Sequence, residues 1–520
     1  MNPRISPDGH TLAFLAFAGE LTQVAIMKPE TGNWTILTRN SERGYVQELS
    51  WSKDGTRIYY DRNSDVSYSV FSVPVFGGDE HVVLQDAECP QGLPDGSLLV
   101  FRWNAQHREQ LFRYWPETGQ LHRFPVEIVK SDAYPIPIRV SKDGRSAVMV
   151  GRPILPTPYP ANPTLLLVDL VSRGVRVLDN GALPPFSLAL SRNGKSILTA
   201  STSGDLSKLE TFAVGGAQRK RTILTATHPM HLDIGPDGAV YADEVDRPSA
   251  LVRFSASGGA IQKINDYGGD GVLLPDGRVV VTGRVQGRNH LMGLETGKNP
   301  VLFVNTGYET FTPATALGRS EIAFLTAAPS PKPHREVAIA DISNGTISRR
   351  FAFDKGRITS LAATPDGKTL FIAAGGNIWS VPLSGGEPRV IRAGDSMGVD
   401  PSGKFLLVQV IEAPKVRLIK VPLDGAAEQE IRVIGPYRLS FLPITSQTIG
   451  KDGRLVVSLT SPDSRFVSPG IIDLATGQAT RIPVQHYCDY LSPAWAPDGS
   501  ILSTTLGLRS SLWRFQEASR

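Results

Sequence analysis

The sequence predicts an all-β fold of tandem β-propellers, about twelve four-stranded antiparallel blades in two rings. Three observations carry this. A turn ending in glycine recurs twelve times from Gly9 to Gly499 at a mean spacing of about 45 residues, the period of a propeller blade. A second glycine turn follows each of the first eleven, as at Gly32, Gly78, Gly119 and Gly386. Short β-rich runs flank both turns, among them Arg57 to Asp61, Ser97 to Phe101 and Arg454 to Leu459.

Nine of the twelve primary turns are Asp-Gly and a tenth is Asn193-Gly194, while Ser402-Gly403 and Leu317-Gly318 are degenerate. Asp or Asn before Gly suits a two-residue type I′ hairpin loop, which needs positive φ at both central residues. Each repeat then reads as strands a, b, c and d, with the first turn joining a to b and the second joining c to d. The last repeat ends after the strand around Leu512 to Phe515 and lacks strand d. Met1 stands just ahead of the first strand a, so the reading frame is expected to be the back portion of a longer polypeptide.

A ring of this class holds up to about eight blades, so twelve imply two. Residues 1–265 are assigned to the first propeller and 266–520 to the second, six blades each with a boundary near Asn265 to Gly269; seven plus five is the alternative. The chain carries 54 basic and 50 acidic residues, for a net charge of +4, and its basic runs are short and sit at turns, which does not make a nucleic-acid surface. Cys89 and Cys488 form no disulfide framework and read as buried thiols, compatible with cytoplasm or periplasm. Thr11 to Ala18 mimics a secretory leader but matches strand b of the other repeats, and no run approaches the length of a membrane helix.

No complete catalytic constellation is found, and no cofactor or metal is expected. Gly394-Asp395-Ser396-Met397-Gly398 satisfies the nucleophile-elbow pattern, but the residues after it read as a strand and hairpin where that pattern requires a helix. His228, His231 and Asp233, and separately His486, Tyr487, Cys488, Asp489 and Tyr490, gather polar side chains at strand entries. Residues alternate faces along a strand and neither group has recognised ligand spacing, so both read as the lining of a channel mouth. Recognition is expected on the face shared by the b/c and d/a loops. Two b/c loops are long and proline-rich there: Gly151 to Pro163, offering Ile154, Pro156, Tyr159 and Pro160, and Ala327 to Arg335, offering Lys332 and His334. A protein or small ligand is the partner expected on that face.

The hairpins at Ser6 to Gly9 and Thr364 to Lys368 resemble the TolB-like, WD-repeat-like propeller repeats of bacteria. Thr22 to Arg39, Arg113 to Leu121, Ser360 to Pro382 and Arg509 to Phe515 look like the C-terminal propeller region of eukaryotic-like bacterial serine/threonine protein kinases, a resemblance covering essentially the whole chain. It implies a module that senses a ligand or docks a partner beside an upstream kinase domain using ATP and magnesium. The kinase catalytic residues have no matching positions here. Val24 to Lys28 and His107 to Glu109 are only fragments of kinase patterns and fall within blade strands. The resemblance therefore implies a non-catalytic chain. A propeller accompanying an α/β-hydrolase serine peptidase, and a free-standing TolB-like periplasmic scaffold, are the alternatives.

Overall fold

The computed structural model describes residues 2–40, 44–64, 67–104, 109–128, 138–154, 164–179, 187–191, 193–203, 206–214, 221–226, 229–327, 335–412, 415–484 and 487–516. Among them are many short strands and no helix. Most strands assemble, in chain order, into four-stranded antiparallel sheets. This is the architecture of a multi-blade β-propeller.

The recurring turn is built differently from the hairpin expected. All twelve glycines have positive φ, from 59° at Gly318 to 89° at Gly277, but none of the aspartates before them does. In the first, Gly9 N donates to Ser6 O at 2.9 Å and Ser6 N pairs with Thr11 O at 2.7 Å, so Pro7 and Asp8 form a type I turn and Gly9 alone takes the left-handed position. The Ser-Pro-Asp-Gly spelling then has a direct cause. Ser6 Oγ donates to Asp8 Oδ1 at 2.5 Å and accepts from Thr11 N at 2.9 Å, which ties the loop to the start of strand b. The same hydroxyl bridge recurs at Ser52 with Asp54, Ser141 with Asp143, and Thr364 with Asp366. These hydroxyl bonds hold each of the four carboxyls below the usual aspartate range.

The chain divides into two compact units. One comprises Met1–Asp246, Pro462–Arg465 and Arg509–Arg520, and the other Arg247–Ser461 and Phe466–Leu508. In the first unit the inner strands run in a closed cycle: Arg4–Ile5, Tyr45–Trp51, Glu88–Gly92, Ile138–Val140, Ser187–Leu190, Pro229–Ile234, and back to Arg4–Ile5. In the second, Gly271–Leu273, Thr310–Leu317, Ile358–Ala363 and Ser396–Val399 follow one another, and Cys488–Trp495 returns to Gly271–Leu273. Apolar side chains fill the space between successive sheets. Leu325 and Ile339 of one sheet pack with Leu361, Leu370 and Ile372 of the next, and Val272, Val280 and Leu291 pack with Ile322, Phe324 and Ala338.

Among the described residues strand order departs from the sequential reading where Gln120–Ile128 also pairs with Ser146–Pro153, joining two successive sheets, and more fully near the end of the chain. Pro229–Ile234 and Val240–Asp246 take as their third strand Arg509–Phe515, in seven consecutive antiparallel pairs from Val240↔Phe515 to Asp246↔Arg509. Ser249–Phe254 and Gln262–Asn265 instead complete the sheet of Cys488–Trp495 and Ile501–Gly507. The last repeat is thus supplied with a strand d, and the three-stranded sheet is the one containing Val240–Asp246. The linker lengths bear on the exchange. Some b/c connections reverse on a left-handed glycine, such as Gly19, Gly287 or Gly376, whereas Ser461 to Ser464 reverses on Pro462-Asp463 without one. Asp246 to Ser249 has only Arg247 and Pro248 between its strands, and Gly507 to Arg509 has only Leu508. Neither contains a residue with positive φ, and one residue is too short to turn Ile501–Gly507 back onto Arg509–Phe515, so these strands part to different sheets.

Tight packing at a turn gives one prediction. Gly345 has φ 69°, and a Cβ there would lie 2.2 Å from the Phe303 carbonyl oxygen. Gly345→Ala is expected to destabilise the second unit by about 2–3 kcal/mol. Urea unfolding checks it, and a change under 0.5 kcal/mol would show that the turn relaxes.

Candidate functional site

The second unit's axis is shaped by a stretch that is not a regular strand. After Arg438–Leu439 the chain runs irregularly to Gly450 and laces several sheets together. Gln447 donates from Nε2 to Leu273 O at 2.6 Å and accepts from Leu273 N at 2.9 Å. Trp495 N donates to Gln447 O at 3.1 Å. Ile444 N donates to Ser396 Oγ at 3.1 Å, and Gln409 Nε2 reaches Leu442 O at 3.1 Å. A glutamine can satisfy both groups of a facing residue at once, so this bond pair fixes the segment across the axis.

A cavity opens on either side of that segment, and Ser446 borders both. On the side of the Asp-Gly turns, about 480 Å³ is walled by Pro275, Pro365, Pro401, Pro497 and Trp495. Four turns that carry proline ahead of their glycine thereby place a rigid apolar ring at this mouth. On the side of the b/c and d/a loops, about 280 Å³ is bordered by Asp270, Arg335, Arg357, Thr359, Thr445 and Ser492. Asp270 accepts from Ser492 Oγ at 2.7 Å. Arg335 lies with Cζ 4.3 Å from the Phe311 ring centroid, a cation–π contact that holds its planar fork. Among the described residues neither Arg335 nor Arg357 forms an ion pair, so two exposed arginines and one carboxylate, that of Asp270, border this mouth and leave it with a net positive charge. The arrangement attracts a negatively charged group.

The candidates read from the sequence fall in several places. Lys332 and His334 lie outside the described residues, but Arg335, the residue after them, borders the mouth. Pro156, Tyr159, Pro160, His228 and His486 also lie outside the described residues. Ile154 is exposed and borders a cavity of about 640 Å³ with Asn104, His122, Arg123 and Glu127. Tyr487 is exposed, Asp489 accepts from Val467 N at 3.0 Å, and Tyr490 is buried edge-on against Phe254. Burial pushes the Cys488 thiol up to about 11.

His231 and Asp233 are occupied by the chain itself. Asp233 Oδ2 accepts from Ile5 N at 2.9 Å. His231 donates its backbone N–H to Asp243 Oδ1, and its Nδ1 lies 2.8 Å from Asp243 Oδ2. That oxygen also accepts from Asn2 N at 2.8 Å, so one buried carboxylate pins the N-terminal strand beside Pro229–Ile234. Ser396 is buried on a strand, with Oγ 2.5 Å from Gln409 Oε1, which makes it part of the lacing around the axis.

Sequence reasoning passed over one buried polar group. Asp61, Glu88 and Cys89 bring a donor atom each within 4.8 Å of one another. Asp61 accepts from the backbone N–H of Gln47, Glu48 and Cys89 at 3.2, 2.8 and 2.7 Å, which staples its own sheet to the next. Burial is the main cause that pushes its carboxyl up to about 7, with Glu88 and Glu48 adding to it.

No protein-family model matches the sequence, and no curated protein does. Solved structures similar to this chain include TolB from Acinetobacter baumannii, at 18% identity and a TM-score of 0.35 over 44% of this chain and 56% of that one. A protein assigned as TolB from Agrobacterium tumefaciens is 14% identical with a TM-score of 0.40, over 50% and 99%. The tricorn protease is 13% identical with a TM-score of 0.32, over 91% and 49%. The matched region therefore spans about half the length of the first and third of these proteins. The propeller architecture stands on the sheets themselves.

Proposed function

We propose that this chain is a non-catalytic sensing or protein-interaction scaffold, with each compact unit a six-bladed ring, and that the second unit captures its partner at the mouth bordered by Arg335 and Arg357. The observation that carries the reading is the pair of exposed arginines without ion-pair partners which, against the single carboxylate of Asp270, border a cavity whose floor is the Pro443 to Ser446 stretch. A closed floor makes this mouth a receptor for a terminus or side chain. The partner presents a carboxylate to the arginines of the rim, since the hydroxyls of Thr359, Thr445 and Ser492 already donate within the chain.

The resemblance of Ser360 to Pro382 and Arg509 to Phe515 to kinase-linked propellers supports placing this scaffold beside a serine/threonine kinase domain. An in-frame upstream coding stretch with a glycine-rich phosphate loop and Asp-Phe-Gly tests that attachment. A downstream α/β-hydrolase frame would favour the peptidase alternative instead.

Binding is tested with a fluorescent glutamate-rich decapeptide titrated against the chain and against a variant carrying Arg335→Glu and Arg357→Glu. The variant is expected to bind at least about tenfold more weakly, with unchanged melting because both side chains are exposed. Equal affinity in the two proteins would reject the mouth as the capture site.

A further inference from the structure

The sheet of Pro229–Ile234, Val240–Asp246 and Arg509–Phe515 ends on a strand with no neighbour beyond it among the described residues. The four-stranded sheets end on short outer strands of two to six residues. Arg509–Phe515 has seven residues, pairs with Val240–Asp246 without a register shift, and contains no proline. Natural proteins blunt exposed edges with bulges, prolines or very short strands, and this edge has none of these devices. Its charge is also partly neutralised, because Arg514 bonds Asp237 Oδ2 at 2.8 Å.

The repeat itself specifies what belongs there. Ser511-Leu512-Trp513-Arg514-Phe515 aligns with Asn377-Ile378-Trp379-Ser380-Val381 of an intact sheet, matching Ile to Leu and Trp to Trp. In that sheet Trp379 pairs with Val390 and Ser380 with Arg389, both on the outer strand Arg389–Ala393. Trp379 is partly covered, whereas Trp513 is 50% exposed and stacks on Phe515 with ring centroids 6.4 Å apart. The aromatic surface is present and its cross-strand partner is missing.

We propose that the free edge of Arg509–Phe515 receives, by β-strand addition, an extended segment of a partner protein with the chemistry of this chain's own outer strands. That segment is short, mixes β-branched with basic or polar residues as Arg389–Ala393 does, and sets a β-branched side chain opposite Trp513. Backbone hydrogen bonds supply the attraction, and the Trp513–Phe515 surface sets the register.

The test uses the full chain and a fluorescein-labelled peptide copying residues 384–395, which contain one of its own outer strands. Saturable binding is expected. It should weaken at least tenfold when proline replaces the valine of the peptide, and at least tenfold when the chain carries Trp513→Ala. In the unsubstituted chain, the peptide should slow amide hydrogen exchange across Ser510 to Phe515. Binding that neither substitution weakens, or no added protection there, would overturn the proposal. A concentration-dependent dimer that protects the same amides and resists the peptide would also overturn it, by assigning the edge to a second copy.

Discussion

Truncation after Leu508 is expected to remove or sharply lower one unfolding transition and to leave the other unchanged. Arg509–Phe515 contributes the whole outer strand of its sheet, seven pairs long. Without it Val240–Asp246 becomes an edge, and Tyr241, Asp243 and Val245, all buried, lose cover. Leu512 also packs beside Phe14, Ala16 and Ala25, and Phe515 beside Leu232 and Ala242. Seven strand positions at about 1 kcal/mol net per hydrogen bond, plus that apolar burial, put the loss at roughly 5 kcal/mol or more. For a unit of this size the melting temperature should fall by about 10 °C or more. The sheet of Cys488–Trp495, Ile501–Gly507, Ser249–Phe254 and Gln262–Asn265 keeps all its strands, so the second unit's transition stays in place. Calorimetry of the two lengths of chain decides it. Two unchanged transitions would mean that the strand only decorates its sheet.

That same strand marks where sequence reading succeeds and where it stops. Turn glycines were legible because positive φ without a Cβ penalty is a local demand that local composition meets, at all twelve positions. The type of turn was not, because Asp-Gly serves a I′ hairpin and a type I turn followed by a left-handed residue equally well. The bridging Ser or Thr two residues before the Asp, in Ser6-Pro7-Asp8 and Ser52-Lys53-Asp54, was the available signal. Strand exchange was written locally only in part. Leu508 alone is too short to reverse the chain, whereas the lack of glycine in Arg247-Pro248 decides nothing, since Pro462-Asp463 closes a hairpin without one. Periodicity hides this, since a repeat counts strands and is silent on which sheet each one joins.

The site was less legible because it is assembled from residues far apart in sequence. Gln447 meets Leu273 across 174 positions, and Arg335 and Arg357 come from neighbouring sheets. The expectation that the long Ala327 to Arg335 loop lies at a recognition face pointed to its residues Lys332 and His334, three positions and one position short of Arg335 at the mouth. His231 and Asp233 read as the lining of a channel mouth, but Asp233 satisfies the Ile5 amide of the adjoining strand and the His231 ring is held by Asp243.

Asp243→Ala is expected to cost about 3 kcal/mol or more, because it strips a fully buried carboxylate from partners that stay behind. Asn2 N, His231 N and the His231 ring would each lose an acceptor. Burial pushes this carboxyl up, but the charge and hydrogen bond of the His231 ring, with the Asn2 amide, outweigh it and hold it well below the ordinary aspartate range. A depressed folded-state value gives the sign of the pH dependence: the contribution is fully present above the unfolded value of about 3.9 and is lost as pH falls toward the folded one. The gap in stability between wild type and Asp243→Ala should therefore be constant from pH 7 to 5 and narrow below about pH 4. Asp243→Asn, which keeps one acceptor oxygen, should cost less, and its gap should narrow below about pH 4 in the same way, because both variants lack the titrating carboxyl. Urea titrations at several pH values measure both. A loss under 1 kcal/mol, or a gap that widens in acid, would mean that the N-terminal strand is held by its ladder alone and that the carboxylate does not anchor it.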